Sequence, residues 1–502
     1  MIRNRMSEFS FEGPEPETPA RADLYAVFTE ADGTEREVRG FYAGNGVYKV
    51  RYLPQTAGPV RYTVRGIVSA RGEEFCADST ERGIVRAKDT HFEDSSGQCF
   101  LPFGTTVYAL FHQTDSLIAE TVDELRRSPF NKVRTCVFPK DYAYNHNEPA
   151  LYAFERDRDG HWDPARPCYA FWDHMEKIIA ALGEAGIETD LILFHPYDRW
   201  GFAFLTEEQN FLYLDYLLAR LSAFPSVWWS LANEYDLVPS KTEEDWYAIE
   251  ERVALGDPYG HLLSNHNCFS YYDFHRKHVT HCSMQTTQVE WARRYAEEYG
   301  KPVVFDECCY EGNLPLAWGN ISGFEMTNRF YIACIGGAYA THGEVFLSDD
   351  EVLWWAKGGR LKGESPARIA YLRKILDRLP HPLEKWEEDR FAGMDPERVR
   401  EIRNSPFFRR VSELNETQRA ALIVKETRYT ARCGDRFFLE YFARHCCAEV
   451  DWRLPEDGAY DIYVIDAWEM TCARTAEGVR GAVTLSLPGK EGILAVAVRR
   501  EE

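Results

Sequence analysis

The chain has no run of 18 apolar residues, and its opening, Met1-Ile2-Arg3-Asn4-Arg5-Met6, leads into Ser7-Glu8-Phe9 rather than an apolar segment. A membrane-spanning helix is excluded, and no secretory leader is expected. Positive charge is scarce: 58 Lys and Arg stand against 80 Asp and Glu, a formal net charge of −22. A surface of that sign repels phosphate backbones and anionic lipid, so neither nucleic acid nor a membrane is expected as partner. It also weighs against a strongly anionic polymer as substrate, unless a local basic pocket overrules the average. The 13 cysteines are odd in number and form no C-x-x-C pair or regular framework. The neighbours Cys308-Cys309 and Cys446-Cys447 are poorly placed to bridge to each other. Free thiols, and with them a cytoplasmic location, are the expectation. No Cys/His spacing of the zinc type occurs, and there is no internal repeat or low-complexity tract.

What the chain does have is length and aromatic rings. Its 502 residues exceed one ordinary core and suggest about two to four domains. Aromatics make up 14% of residues. Flat rings suit stacking on the apolar face of a sugar, and equally suit an aromatic core.

Residues 1–88 read as a β-domain. Segments 24–29, 47–52 and 60–65 are short β-rich runs separated by turns such as Ala31-Asp32-Gly33 and Gly44-Asn45-Gly46. A small antiparallel sandwich is predicted. From about residue 98 strand-like runs alternate with amphipathic helices, the rhythm of a parallel sheet with crossovers. Strands are predicted at 101–106, 132–138, 189–195, 227–234, 262–265, 280–285, 303–307 and 337–342. Eight strands over about 240 residues predict a (β/α)8 barrel within 89–385. Thr206 with Gln209 three residues on reads as a capping box, and Ser365-Pro366 as another helix start. After strand two the connection from Pro139 to Tyr169 is long and rich in Tyr and charge, which at the catalytic face of a barrel points to function. Past Pro380 the β pattern returns at 420–425, 437–441, 448–453, 460–465, 482–487 and 493–498, giving a closing β-sandwich over 386–502.

Two segments carry chemistry. Val227-Trp228-Trp229-Ser230-Leu231-Ala232-Asn233-Glu234 is an apolar strand ending in an amide and a carboxylate. Lys301-Pro302-Val303-Val304-Phe305-Asp306-Glu307 is a second apolar strand ending in carboxylates. A barrel strand points its C-terminal end at the active site. Two facing carboxylates are the minimum for glycoside cleavage, one protonating the leaving oxygen and one attacking the anomeric carbon. An Asn-Glu in this place could also merely cap the next helix. Neighbours on a strand alternate, so one of Asp306 and Glu307 is expected to face the mouth.

These residues resemble clan A of the glycoside hydrolases, in which an Asn-Glu ends strand four as acid/base and a Glu ends strand seven as nucleophile. The resemblance implies Glu234 and Glu307 in those roles, Asn233 beside the first. Phe130-Asn131-Lys132-Val133-Arg134 resembles the clan's strand-two motif, and Arg134 would then support the nucleophile. The chain is more closely similar to the apiosidase-like barrels, through Leu101-Pro102-Phe103-Gly104-Thr105-Thr106, through Phe194-His195-Pro196-Tyr197-Asp198-Arg199-Trp200-Gly201, and through Trp228 to Glu234. Gly40-Phe41-Tyr42-Ala43-Gly44-Asn45-Gly46 resembles the Ig-like domain that precedes such barrels. Some apiosidase-like relatives carry Asp as acid/base where this chain has Glu234.

Barrel position adds His195, Tyr197, Asp198, Arg199 and Trp200 after strand three, His266 after strand five, Gln285 at the end of strand six, and His342 and Trp354 after strand eight as candidate sugar contacts. Asp198 and Arg199 could instead pair with each other. The expected activity is retaining hydrolysis of plant-type oligosaccharides, with the carboxyl groups about 5–5.5 Å apart, Glu307 ionised beside Arg134, Glu234 protonated, and no metal or cofactor. A transglycosylase would share every residue, whereas a non-catalytic carbohydrate-binding protein would be expected to lose a carboxylate. An aldolase or metallo-hydrolase needs a strand-end Lys or a ligand cluster; no strand end delimited above carries Lys, and the histidines are scattered. The sequence leaves a homo-oligomer open.

Overall fold

The computed structural model describes residues 1–386, 395–419, 421 and 428–501, which divide into two compact units. The first holds residues 1–287, 296–326 and 339–366, and the second 288–295, 327–338 and 367–502.

In the first unit eight strands run parallel: β1 (Gly104–Thr106), β2 (Lys132–Cys136), β3 (Glu188–Phe194), β4 (Val227–Ala232), β5 (Leu263–Ser264), β6 (Cys282–Gln285), β7 (Val303–Glu307) and β8 (Tyr339–His342). Their spatial order is β5-β4-β3-β2-β1-β8-β7-β6. The ends of that series meet, because His266 just past β5 bridges Ser283 of β6, and Ser264 Oγ donates to the His281 carbonyl at 2.6 Å. This is the expected (β/α)8 barrel, each strand lying within or one residue beyond its predicted segment. Strands β3 and β4 are buried along their whole length, which is why they read as continuous apolar runs. Helices α1 (Asp115–Arg127), α2 (Tyr169–Glu184), α3 (Glu207–Leu221) and α4 (Glu243–Gly256) follow β1 to β4. Thr206 and Gln209 form the predicted capping box at α3, and Thr242 and Asp245 form a second at α4.

A small antiparallel sheet, Arg86–Lys88, His91–Glu93 and Cys99–Phe100, closes the barrel at the strands' N-terminal ends. Its Phe92 and Phe100 pack with Trp228, Val304 and Tyr339. The predicted boundary at 88 runs through this sheet, where Lys88 pairs with His91. Inside the long connection after β2, Phe154–Arg156 and Trp162–Pro167 form a hairpin.

Residues before Arg86 form two antiparallel sheets on one core, as predicted. Ser7–Glu12, Val47–Tyr52 and Phe41–Tyr42 make one, and Glu35–Arg39, Leu24–Thr29, Gly58–Gly66 and Ala70–Cys76 the other. Leu24, Ala26 and Phe28 meet Tyr48, Val50 and Tyr52 between them, with Phe28 stacked on Tyr52 at 3.8 Å. A buried ion triad ties this domain to the barrel helices. Arg51 grips Glu176 of α2 at 2.7 and 2.9 Å, Arg220 of α3 grips the same carboxylate at 2.5 and 2.9 Å, and the Phe41 ring lies beside both guanidinium groups.

The second unit carries a six-stranded antiparallel sheet, in the order Glu384–Lys385, Tyr429–Cys433, Phe437–Phe442, Ile493–Arg499, Tyr460–Asp466, Thr471–Val479, and a two-stranded sheet of Glu449–Arg453 and Ala482–Ser486. Trp452 and Leu485 of the pair share a core with Phe438, Ile462 and Ile493 of the larger sheet. The strand predicted at 420–425 lies, Ala421 apart, outside the described residues. Thr471–Val479 is exposed for most of its length and polar, so it carried no apolar signal. Helices Pro396–Arg403 and Pro406–Ser412 stand where only β structure was expected.

Burial alone would raise the Glu176 carboxyl, but the hydrogen bonds and charges of Arg220 and Arg51 outweigh it and hold it below the ordinary range. Its removal leaves Arg51 only Glu8 and Arg220 only Asp173 as acidic partners, so Glu176→Gln should destabilise the chain by about 3 kcal/mol at neutral pH. A depressed folded pKa contributes stability above the unfolded value of about 4.3 that is lost as pH falls. Thermal denaturation of wild type and variant from pH 7 down to pH 3 should therefore show the gap closing below about pH 4.3; a gap independent of pH would contradict the assignment.

Candidate active site

The floor of the site is a buried charge network inside the barrel. Lys132 of β2 donates to Asp306 of β7 at 2.6 Å and pairs with Asp190 of β3 at 2.8 Å. Asp306 also accepts from Ser283 of β6 at 2.6 Å and Thr341 of β8 at 2.7 Å. Arg134 lies 3.6 Å from Asp190 and 3.8 Å from Asp306. Burial would raise Asp306, but Lys132, Arg134 and the hydrogen bonds of Lys132 and Ser283 hold it far below the ordinary carboxylate range.

Asp306 and Glu307 both serve the barrel interior, and of the two Glu307 faces the mouth, as expected. The ladder between β6 and β7 slips at this point: Met284 pairs with Phe305, but Gln285 pairs with Glu307. The extra residue resets the strand's alternation, as a β-bulge does. Asp306 drops into the floor, and Glu307 reaches the mouth with its side chain 11% exposed.

Glu234 faces it from the end of β4. Its backbone is left-handed, φ 53° and ψ 58°, a conformation costly for a non-glycine residue. Its N–H points at His266 Nδ1, 3.4 Å away. His266 is fully buried, and burial, with Arg134 next, holds it neutral; Nδ1 can thus accept that N–H. The Glu234 carboxylate accepts from Tyr197 Oη and, at 3.3 Å, from Asn233 Nδ2.

Gln285 joins the two acids. With its amide turned to donate, as two carboxylates require, the nitrogen lies 3.1 Å from Glu307 Oε2 and 3.3 Å from Glu234 Oε1. Those two oxygens can be no further apart than these lengths laid end to end. On its other side Glu307 Oε1 accepts from Tyr108 Oη, while Arg134 Nη1 stands 3.8 Å away. Tyr108 Oη also lies 2.8 Å from Asn233 Oδ1, and its one proton goes to the charged acceptor. Burial, then the charge of Glu307, holds the Tyr108 phenol well above its usual range; burial and Glu234 do the same for Tyr197. Both stay O–H donors.

The Glu307 carboxyl is pushed up, first by burial and then by the facing charge of Glu234; Arg134, Lys140 and the Tyr108 hydrogen bond pull the other way without prevailing. This reverses the expectation that Arg134 dominates: the guanidinium at 3.8 Å is shared with Asp306 and Asp190. Two close carboxylates resist double ionisation, which is the sense in which the facing charge raises Glu307.

Of the predicted contacts, Arg134, Tyr197, Asn233, His266 and Gln285 thus gather around Glu234 and Glu307. The others serve elsewhere. His195 Nε2 is 3.2 Å from the Phe138 carbonyl, and burial and then Lys140 lower it to about 3. Asp198 caps its own loop by accepting from the N–H groups of Trp200, Gly201 and Ala203. Arg199 does not pair with Asp198 but with Glu148, at 2.7 Å, and Trp200 Nε1 donates to the same glutamate. Trp354 is 1% exposed and donates to Thr105 Oγ1, which in turn contacts His342 Nδ1; both face the core. Trp355 is the ring at the site, packed against Tyr108, Tyr142, Tyr144, Tyr310 and Trp318.

Lys140 is the group the sequence reading passed over. It lies two residues beyond the predicted end of strand two, so it did not count as a strand-end lysine. Loop contacts bring it back: Asp141 N–H donates to the Tyr197 carbonyl at 2.9 Å, and Asn145 Nδ2 to the Lys140 carbonyl at 2.9 Å. Its Nζ sits over the rings of Tyr108 at 3.4 Å and Tyr197 at 4.2 Å. Cys268 is a second such neighbour; burial and the charge of Glu234 push its thiol up to about 12.

One cluster of metal-ligating groups occurs among the described residues, Glu311, His342 and Glu344, all buried. Its carboxylates accept from the backbone N–H groups of Lys362, Gly363, Glu364 and Ser365, which makes it a clamp on that loop.

Residues 86–388 match the family described as "Apiosidase-like, catalytic domain", and residues 5–66 and 426–499 match two domains of unknown function, DUF5060 and DUF5605. No curated protein matches. Over 99% of both chains the fold is similar to that of a putative glycoside hydrolase from Bacteroides vulgatus ATCC 8482, with 31% identity and a TM-score of 0.87. A family 5 glycoside hydrolase from the same organism shares the fold at 14% identity and a TM-score of 0.59, over 83% of this chain and 94% of that one. The chain belongs to the apiosidase-like family of glycoside hydrolases, and its barrel is the glycosidase domain.

Proposed function

We propose that this glycosidase cleaves O-glycosidic bonds of plant-type oligosaccharides with retention, Glu307 acting as nucleophile and Glu234 as acid/base. The observation that carries the reading is Gln285, whose single nitrogen reaches an oxygen of each carboxylate at 3.1 and 3.3 Å. A pair so bridged lies on the short side of the ~6.5–9.5 Å that an inverting pair keeps open for water. The substrate direction rests on the apiosidase-like family.

In the first step an oxygen of Glu307 attacks the anomeric carbon while the bond to the leaving oxygen breaks and Glu234 gives that oxygen its proton. In the second, Glu234 takes a proton from water, the water oxygen attacks the same carbon, and the ester to Glu307 breaks. Tyr108 and Gln285 hold Glu307 from either side, and Tyr197 and Asn233 hold Glu234, so neither carboxylate has to reorganise during reaction. The rings of Tyr142, Tyr144, Trp318 and Trp355 give a sugar ring flat faces at the mouth.

Glu307→Ala should abolish turnover. Glu234→Ala should slow natural substrates by about 10²–10⁴, yet spare glycosyl-enzyme formation from an activated aryl glycoside. Azide should restore that turnover and yield a glycosyl azide of retained configuration, read by NMR. Wild-type rates in the Glu234 variant on both substrate types would sink the assignment.

A second outcome concerns pH. The nucleophile must be ionised, and Glu307 is raised, so activity should be lost as pH falls through a value above the ordinary ~4.3. A pH profile of kcat/KM whose acid limb lies at or below that value would contradict the arrangement.

A further inference from the structure

Lys140 is 2% exposed and lies in the active site, yet it has no ion-paired carboxylate among the described residues. Its surroundings are aromatic: Tyr108 at 3.4 Å, Tyr197 at 4.2 Å, Tyr142 at 5.0 Å and Trp355 at 5.6 Å from Nζ to ring centre. Burying an ammonium this way is expensive, and ring quadrupoles return only part of the cost. The two nearest rings are those of the tyrosines that bond the two acids, Tyr108 to Glu307 and Tyr197 to Glu234. One cation thus addresses both carboxylates through one phenol each. A cation on the face of a phenol polarises its O–H and strengthens the bond it donates, and the charge itself acts on both acids across a water-poor site.

We propose that Lys140 is a positioning residue for the catalytic pair: its ammonium, seated between Tyr108 and Tyr197, fixes both phenols as donors and sets a positive charge against the two carboxyl groups. The inference rests on the reading of Glu234 and Glu307 as that pair. Burial lowers the Lys140 pKa; the groups facing the ammonium are the rings above, the carboxylates of Glu234 and Glu307, the Cys136 thiol, the Arg134 guanidinium and the His195 and His266 imidazoles. Arg134 also stands 3.8 Å from Glu307, but it is shared with Asp190 and Asp306, and His195 is neutral. Lys140 is the cation that contacts the phenols of both acids.

Removing a nearby cation makes ionisation of both acids harder. Lys140→Met should move both limbs of the kcat/KM profile to higher pH by about one unit or more, while Lys140→Arg should restore most of the shift. A merely structural lysine would lower stability or scale the rate evenly across pH. To separate failure of this inference from failure of the glycosidase reading, infrared titration of the buried carboxyl bands, assigned with Glu234→Gln and Glu307→Gln, reads the pair without any sugar. Bands that titrate higher in Lys140→Met support the role even if no tested glycoside is hydrolysed. Should Lys140→Met not fold, Lys140→Gln carries the same comparison. A folded variant whose carboxyl bands titrate as in wild type overturns the proposal.

Discussion

Everything at the mouth of this barrel stands on one buried ion network, Lys132 and Arg134 against Asp190 and Asp306. It draws β2, β3 and β7 together through charge, and Ser283 and Thr341 add β6 and β8 through hydrogen bonds to Asp306. Lys132 and Asp306 are both wholly buried. Ions so deep cost several kcal/mol each to desolvate, and the pairing of Lys132 with both aspartates offsets part of that cost. The network consequently constrains register, since a slip of one residue would leave a bare charge in the barrel. The bulge opposite Gln285 meets the same demand: it lets Asp306 stay in the network while the next residue, Glu307, rises to the mouth.

Above that floor the layout is one of crowding. Glu234 and Glu307 are brought close by Gln285, and each is given a tyrosine O–H. Burial and the charge of Glu234 raise Glu307; Arg134 and Lys140 limit that rise. Retaining chemistry, as proposed, needs one acid able to give a proton and one base able to attack. The left-handed backbone at Glu234 is part of the arrangement, because it aims the side chain across the mouth while its N–H meets His266.

Much of this is legible in sequence, for identifiable reasons. Barrel strands buried on both faces leave uninterrupted apolar runs, and carboxylates at the ends of two of them stand out against that background. Glu234, Glu307, Tyr197, Asn233, His266 and Gln285 follow from strand ends, and Arg134 from the resemblance of its strand to the clan's motif. Partnering does not show in a linear chain. His195, Asp198, Arg199, His342 and Trp354 occupy the right positions on barrel geometry, yet hydrogen bonds to Phe138, to their own loop, to Glu148 and to Thr105 turn them to structural work. Lys140 escaped for the converse reason, since a folded loop carries it to the pair from beyond any strand. Strand alternation failed at Asp306-Glu307 because a bulge leaves no mark on residue type.

The central claim is that Glu307 forms the covalent bond to sugar. Incubation with an activated 2-deoxy-2-fluoro glycoside, followed by peptide mapping in a mass spectrometer, tests it most directly, because the fluorine slows release of the glycosyl-enzyme. The account predicts a single fluoroglycosyl adduct on the peptide containing Glu307, stable to washing and released as an acceptor is added. An adduct on Glu234, or turnover that yields product of inverted configuration with no adduct at all, would contradict it.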